Sequence, residues 1–133
     1  MKVIGITIPI FTTEFETAVK SYETLMGEST QRKFEVSSKG ISVAKIGNVL
    51  IIGGSEETLT PLRQIRAIFV VDSIDDYDAY LRANSATILQ PPTPTPTGRN
   101  MIAKGADGMV FEYVELQDSS KTCPHNPLRI DSA

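Results

Sequence analysis

The chain has 133 residues, 41% apolar and 22% charged, which suits one globular domain with a core that needs no covalent staples. A net charge of −3 argues against nucleic-acid or anionic-membrane partners, and a single cysteine excludes an internal disulfide. No apolar run approaches the ~18 residues of a membrane helix, and the opening MKVIGITIPIF lacks a small-residue cleavage site, so a cytoplasmic protein is expected.

In chain order, Lys2 to Thr12 alternates β-branched residues with Gly5, Thr7 and Pro9, the period of a strand. Pro9 gives up one ladder donor, which calls for a free edge or a bulge there. Thr13 and Glu16 match a capping box that opens a helix. Its apolar stripe runs Phe15, Val19, Tyr22 and Leu25 or Met26, and Gly27 supplies the left-handed stop. Strands are expected at Thr30 to Val36, Ile41 to Ile46 and Val49 to Ile52, with turns at Ser38-Lys39-Gly40 and Gly47-Asn48. Gly53 to Pro61 is polar and turn-rich and reads as a linker.

The order then repeats. Gln64 to Val71 reads as a strand, and Asp72-Ser73 opens a helix with the stripe Ile74, Tyr77, Leu81 and a stop at Asn84. Thr87 to Gln90 is a short strand, and the proline-threonine stretch Pro91 to Arg99 must be extended or looped. Asn100 to Lys104 and Met109 to Leu116 pair around Ala106-Asp107-Gly108. Sliding the chain by about sixty residues superimposes the two halves in pattern. The expected organisation is a βαβββ module over residues 1–53, a linker over 54–63, a second βαβββ module over 64–117 and an irregular tail over 118–133. This predicts an α+β fold in which each helix covers one face of its sheet and the two curved sheets share a cleft.

Glu112 stands out within GADGMVFEYVEL. Strand alternation puts it on a face with Val110 and Val114, opposite Met109, Phe111 and Tyr113. A carboxylate in that company is either near solvent or inside something that uses it. Other constellations are weaker. Cys123 and His125 fall in the polar tail with no third group to complete a metal or nucleophile site, and read as chance neighbours. The acids Asp72, Asp75, Asp76 and Asp78 are explained by the dipole of the helix they open.

Four stretches together resemble the vicinal oxygen chelate superfamily, the glyoxalase, bleomycin-resistance and extradiol dioxygenase group. They are SYETLMG (Ser21 to Gly27), FVVDSIDDYDAYLRANSATIL (Phe69 to Leu89), PTPTGRN ahead of a strand, and GADGMVFEYVEL. The resemblance implies two βαβββ modules around one cleft, a homodimer, and often a divalent metal held by His and Glu of the modules' first and last strands. Those positions fall near Thr7, Ile52, Arg66 and on Glu112, and only Glu112 has a ligand's chemistry. No cofactor and no metal are therefore expected. Arg66 and Glu112 either pair across the cleft floor or stand apart, as a solvated edge residue and a family relic at the cavity mouth. Thr7, Phe34, Ile52, Arg66, Met101 and Glu112 form the candidate ligand-binding set. Two functions remain open. One is a metal-free protein that binds a small apolar or aromatic molecule. The other is a lyase, isomerase or dioxygenase using Glu112 as catalytic base or with a divalent metal.

Overall fold

A computed structural model describes residues 1–117. The expected tail, with Cys123 and His125, lies outside the described residues.

β1 spans Val3–Thr12 and α1 spans Phe15–Met26. The capping box does not form at the entry to α1. Glu14 is the N-cap and no side chain caps the helix, while Thr12 Oγ1 already accepts from the Glu14 N–H at 2.9 Å. The exit is as expected: Gly27 is left-handed (φ 69°) and its N–H donates to the carbonyls of Glu23 and Thr24. β2 (Arg32–Val36), β3 (Ile41–Ile46) and β4 (Val49–Gly53) follow. The linker is not structureless. It holds α2 (Glu56–Leu59), capped where Ser55 Oγ accepts from the Thr58 N–H, and a 3-10 turn over Thr60–Leu62.

β5 (Ala67–Val71), α3 (Ile74–Ala83), β6 (Thr87–Thr95), β7 (Gly98–Lys104) and β8 (Val110–Leu116) complete the described chain. Ser73 caps α3 by accepting from the Asp76 N–H at 3.2 Å. The left-handed residue beyond α3 is Ser85 (φ 67°), not Asn84 (φ −121°). The fold class is α+β, with βαβββ written twice.

The described residues form two compact units, Ile8–Gln64 and Met1–Thr7 with residues 65–117. They group the residues otherwise than the sequence repeat does, because β1 divides between them.

In the unit from Ile8 to Gln64 the strand order is β2-β3-β4-β1, with β1 parallel to β4 and the other neighbours antiparallel. α1 covers one face. Val19, Phe15, Ala18, Tyr22 and Met26 pack with Ala44, Ile46, Val49, Ile51 and Ile10. Met26 closes the stripe, and Leu25 is 74% exposed.

In the other unit the order is β1-β5-β8-β7-β6, with β5 and β8 parallel. Val71, Met101, Ala103 and Tyr113 pack with Ile74, Tyr77 and Leu81 of α3 and with Phe69 and Phe111. The aromatic rings stack within this core: Phe69 and Phe111 have centroids 4.5 Å apart, and Tyr77 and Tyr113 5.6 Å.

Four strand prolines find the positions their chemistry requires. The Ile8 N–H donates toward the β4 side, to the Asn48 carbonyl, so the Pro9 nitrogen faces the β5 side, where pairing has ended at Thr7. Pro91, Pro92 and Pro94 lie in β6, at the end of the strand order. Among the described residues no helix is long and apolar enough to cross a membrane.

Candidate functional site

Glu112 lies at the middle of β8, paired with Ile68 of β5 on one side and Ile102 of β7 on the other. Its neighbours Phe111 and Tyr113 enter the core under α3, so alternation turns Glu112 to the face that α3 leaves uncovered. Thr7 pairs with Ile68, which completes a row Thr7–Ile68–Glu112–Ile102 across four strands of one unit. Thr7 and Ile68 are fully buried, Val110 and Val114 on the same face are buried, and Glu112 itself is half-buried.

The carboxylate is held by a neighbour that sequence reasoning missed. Asn100 Nδ2 donates to Glu112 Oε2 at 3.0 Å, and Gln90 Nε2 donates to Asn100 Oδ1 at 2.8 Å. Both amides are half-buried. The other acid of β8, Glu115, lies on the α3 side. Its Oε1 accepts from the Ile74 N–H at 2.7 Å, so it closes the first turn of α3.

The remaining candidates separate. Arg66 is exposed one residue ahead of β5, where its backbone N–H donates to the Val110 carbonyl at 2.9 Å. Glu112 accepts from Asn100's amide, and the β5 residue beside it in register is Ile68. Met101 is also corrected. It pairs with Tyr113 and is fully buried in the α3 core, and Ile102 is the β7 residue on the Glu112 face. Phe34 and Ile52 belong to the other unit, in the row Phe34–Val43–Ile52–Phe11, on the face that α1 leaves uncovered. Lys45 lies two residues from Val43 on the same strand and is 0% exposed. A buried ammonium persists only when engaged, and Lys45 is engaged. Nothing in the strand pattern singled it out.

Burial also shifts two phenols. Tyr113 is raised above the ordinary tyrosine value, first by burial and then by neighbouring Tyr77 and Asp107. Tyr77 is raised by burial and by the charge of Asp72.

No protein-family model and no curated protein matches the sequence. Among solved structures, an uncharacterized, hypothetical protein from Methanosarcina mazei is 36% identical, with a TM-score of 0.76 over 88% of this chain and 95% of that one. The chain belongs to the family of that Methanosarcina mazei protein.

More distant structures share the fold. Methylmalonyl-CoA epimerase from Mycobacterium tuberculosis is 16% identical, with a TM-score of 0.74 over 88% of this chain and 91% of that one. A Streptomyces coelicolor methylmalonyl-CoA epimerase in complex with 2-nitronate-propionyl-CoA is also 16% identical, with a TM-score of 0.73 over 88% and 97%. The fold is that of vicinal oxygen chelate proteins, as the four sequence stretches implied.

That fold raises the question of a metal. Among the described residues no group of three or more His, Cys, Asp or Glu comes together to hold one. The expected ligand positions carry a hydroxyl (Thr7), a hydrocarbon (Ile52), an exposed guanidinium (Arg66) and one carboxylate already bonded to Asn100. A transition ion needs three or four converging N, O or S donors, and this set does not fit one.

Proposed function

We propose that the protein is a vicinal oxygen chelate protein that binds a small molecule without a metal, using the sheet face that α3 leaves uncovered, with Glu112 as its polar anchor. The observation that carries this is a half-buried carboxylate flanked in register by Ile68 and Ile102 and steadied by Asn100. A charge kept in apolar company is costly unless it is used or satisfied. A ligand with an apolar or aromatic body and a polar group to meet Glu112 suits that surface. A cytoplasmic homodimer accompanies this reading. Ile4 and Ile6 are exposed along β1, at 37% and 52%, and a second copy would cover them.

A thermal-shift screen against aromatic antibiotics, small oxoacids and acyl-CoA thioesters tests the anchor. At saturating ligand the unfolding midpoint is expected to rise, and Glu112→Leu is expected to abolish the rise. A bound transition metal at stoichiometric level in the purified protein, lost in Glu112→Leu, would overturn the metal-free reading.

The likeness to methylmalonyl-CoA epimerases favours one second reading, an enzyme in which Glu112 takes a proton from a carbon acid. Incubation with methylmalonyl-CoA in heavy water separates the two. Deuterium incorporation that depends on Glu112 supports an enzyme, and its absence together with a Glu112-dependent thermal shift supports a binder.

A further inference from the structure

Gln90 reaches Asn100 only because the chain changes register around it. Ile88 pairs with Ala103, Gln90 with Ile102 and Thr93 with Asn100. From Ile88 to Gln90, β6 advances two residues while β7 advances one. From Gln90 to Thr93, β6 advances three while β7 advances two. An irregularity therefore stands on each side of Gln90. Residues two apart on a regular strand share a face, and Ile88 packs into the α3 core. Without the first irregularity Gln90 would follow Ile88 to that side. Instead it bonds Asn100 on the Glu112 face. Bulges re-aim side chains in this way and recur beside functional sites.

Asn100 sits between a carboxylate and a second amide. An ionised Glu112 only accepts, so Asn100 must offer it the amide nitrogen. Gln90 donates to the amide oxygen from the other side, which leaves that orientation as the one satisfying both neighbours. We propose that Gln90 is a positioning residue for the candidate site. By holding Asn100 Oδ1 it commits Asn100 Nδ2 to Glu112 Oε2, and so sets the direction in which the carboxylate meets a ligand. The role in ligand binding rests on the reading of Glu112 given above, whereas the relay itself can be tested without any ligand.

In 15N-labelled protein the side-chain amide of Asn100 reports the relay. Glu112→Leu is expected to shift the Asn100 amide protons, because their acceptor is lost. Gln90→Glu places an acceptor against Asn100 Oδ1, so position 90 competes with Glu112 for Asn100 Nδ2. Adding Glu112→Leu to Gln90→Glu is then expected to move the Asn100 signal less than Glu112→Leu does alone. Gln90→Lys restores a donor and is expected to restore the dependence on Glu112. A full Glu112-dependent shift that survives in Gln90→Glu overturns the proposal. Should that variant not fold, Gln90→Met removes the donor at similar length. It is expected to reduce the Glu112-dependent shift, and an unreduced shift overturns the proposal equally. A ligand screen that fails while the amide responds as expected rejects the ligand reading and leaves the relay standing.

Discussion

Tyr113 and Glu112 are adjacent on β8 yet belong to different chemical worlds, one ring inside the α3 core and one carboxylate on the opposite face. Burial holds the Tyr113 phenol above its ordinary value, so the folded state favours the neutral form. The sign follows directly. This contribution to stability is complete below the unfolded tyrosine value, near pH ~10, and is lost as pH rises through the higher folded value. Tyr113→Phe is therefore expected to flatten the alkaline limb of stability against pH, read by urea unfolding. An identical limb in the variant would show that Tyr113 does not carry the effect. The face of Glu112 was legible from alternation alone, since β8 is regular. Met101 was misassigned because the parity of β7 is fixed only by its register against β8, which pairs Ile102 with Glu112. Gln90 was invisible for a stronger reason. The register shifts around it break the two-residue period that a sequence reading depends on.

At the scale of elements, local chemistry was read well where it was self-contained. Gly27 ends α1, Ser73 opens α3, and the stripes Phe15–Val19–Tyr22 and Ile74–Tyr77–Leu81 face the two cores. It was read less well where a distant strand supplies the partner. The start of α3 is closed by Glu115, forty-one positions away from Ile74, and no local motif announces that contact. The interaction joins a carboxylate to a helix N-terminus, which is worth about 1 kcal/mol. Glu115→Gln keeps an acceptor oxygen but loses the charge. It is expected to lower stability by about that amount, and less at high salt, in chemical denaturation. A loss that does not respond to salt would point to packing rather than the helix dipole. At the α1 entry the capping box failed because Thr12, the last residue of β1, bonds the Glu14 N–H one step earlier.

At the scale of the whole molecule, the duplication was legible because each half repeats strand, helix and three strands. The division of β1 was not legible, since nothing in VIGITIPIF marks where one partner strand gives way to another except the missing donor of Pro9. The isoleucines of that strand also carry the expectation of pairing between copies. Ile6→Asp is expected to convert a dimer into a monomer in sedimentation while leaving the circular dichroism spectrum intact. A protein that already sediments as a monomer would remove the dimer.

The split of β1 has a bearing on how the chain is made. Val3 to Thr7 find their ladder in Ile68 to Val71, about sixty positions later, and such long-range closure is slow. On a translating ribosome this segment emerges well before its partner strand, and is left without it until about sixty further residues have been synthesised. Through that interval Ile4 and Ile6 have no β5 ladder to join, so a nascent chain keeps these isoleucines uncovered, within reach of a chaperone that meets emerging chains.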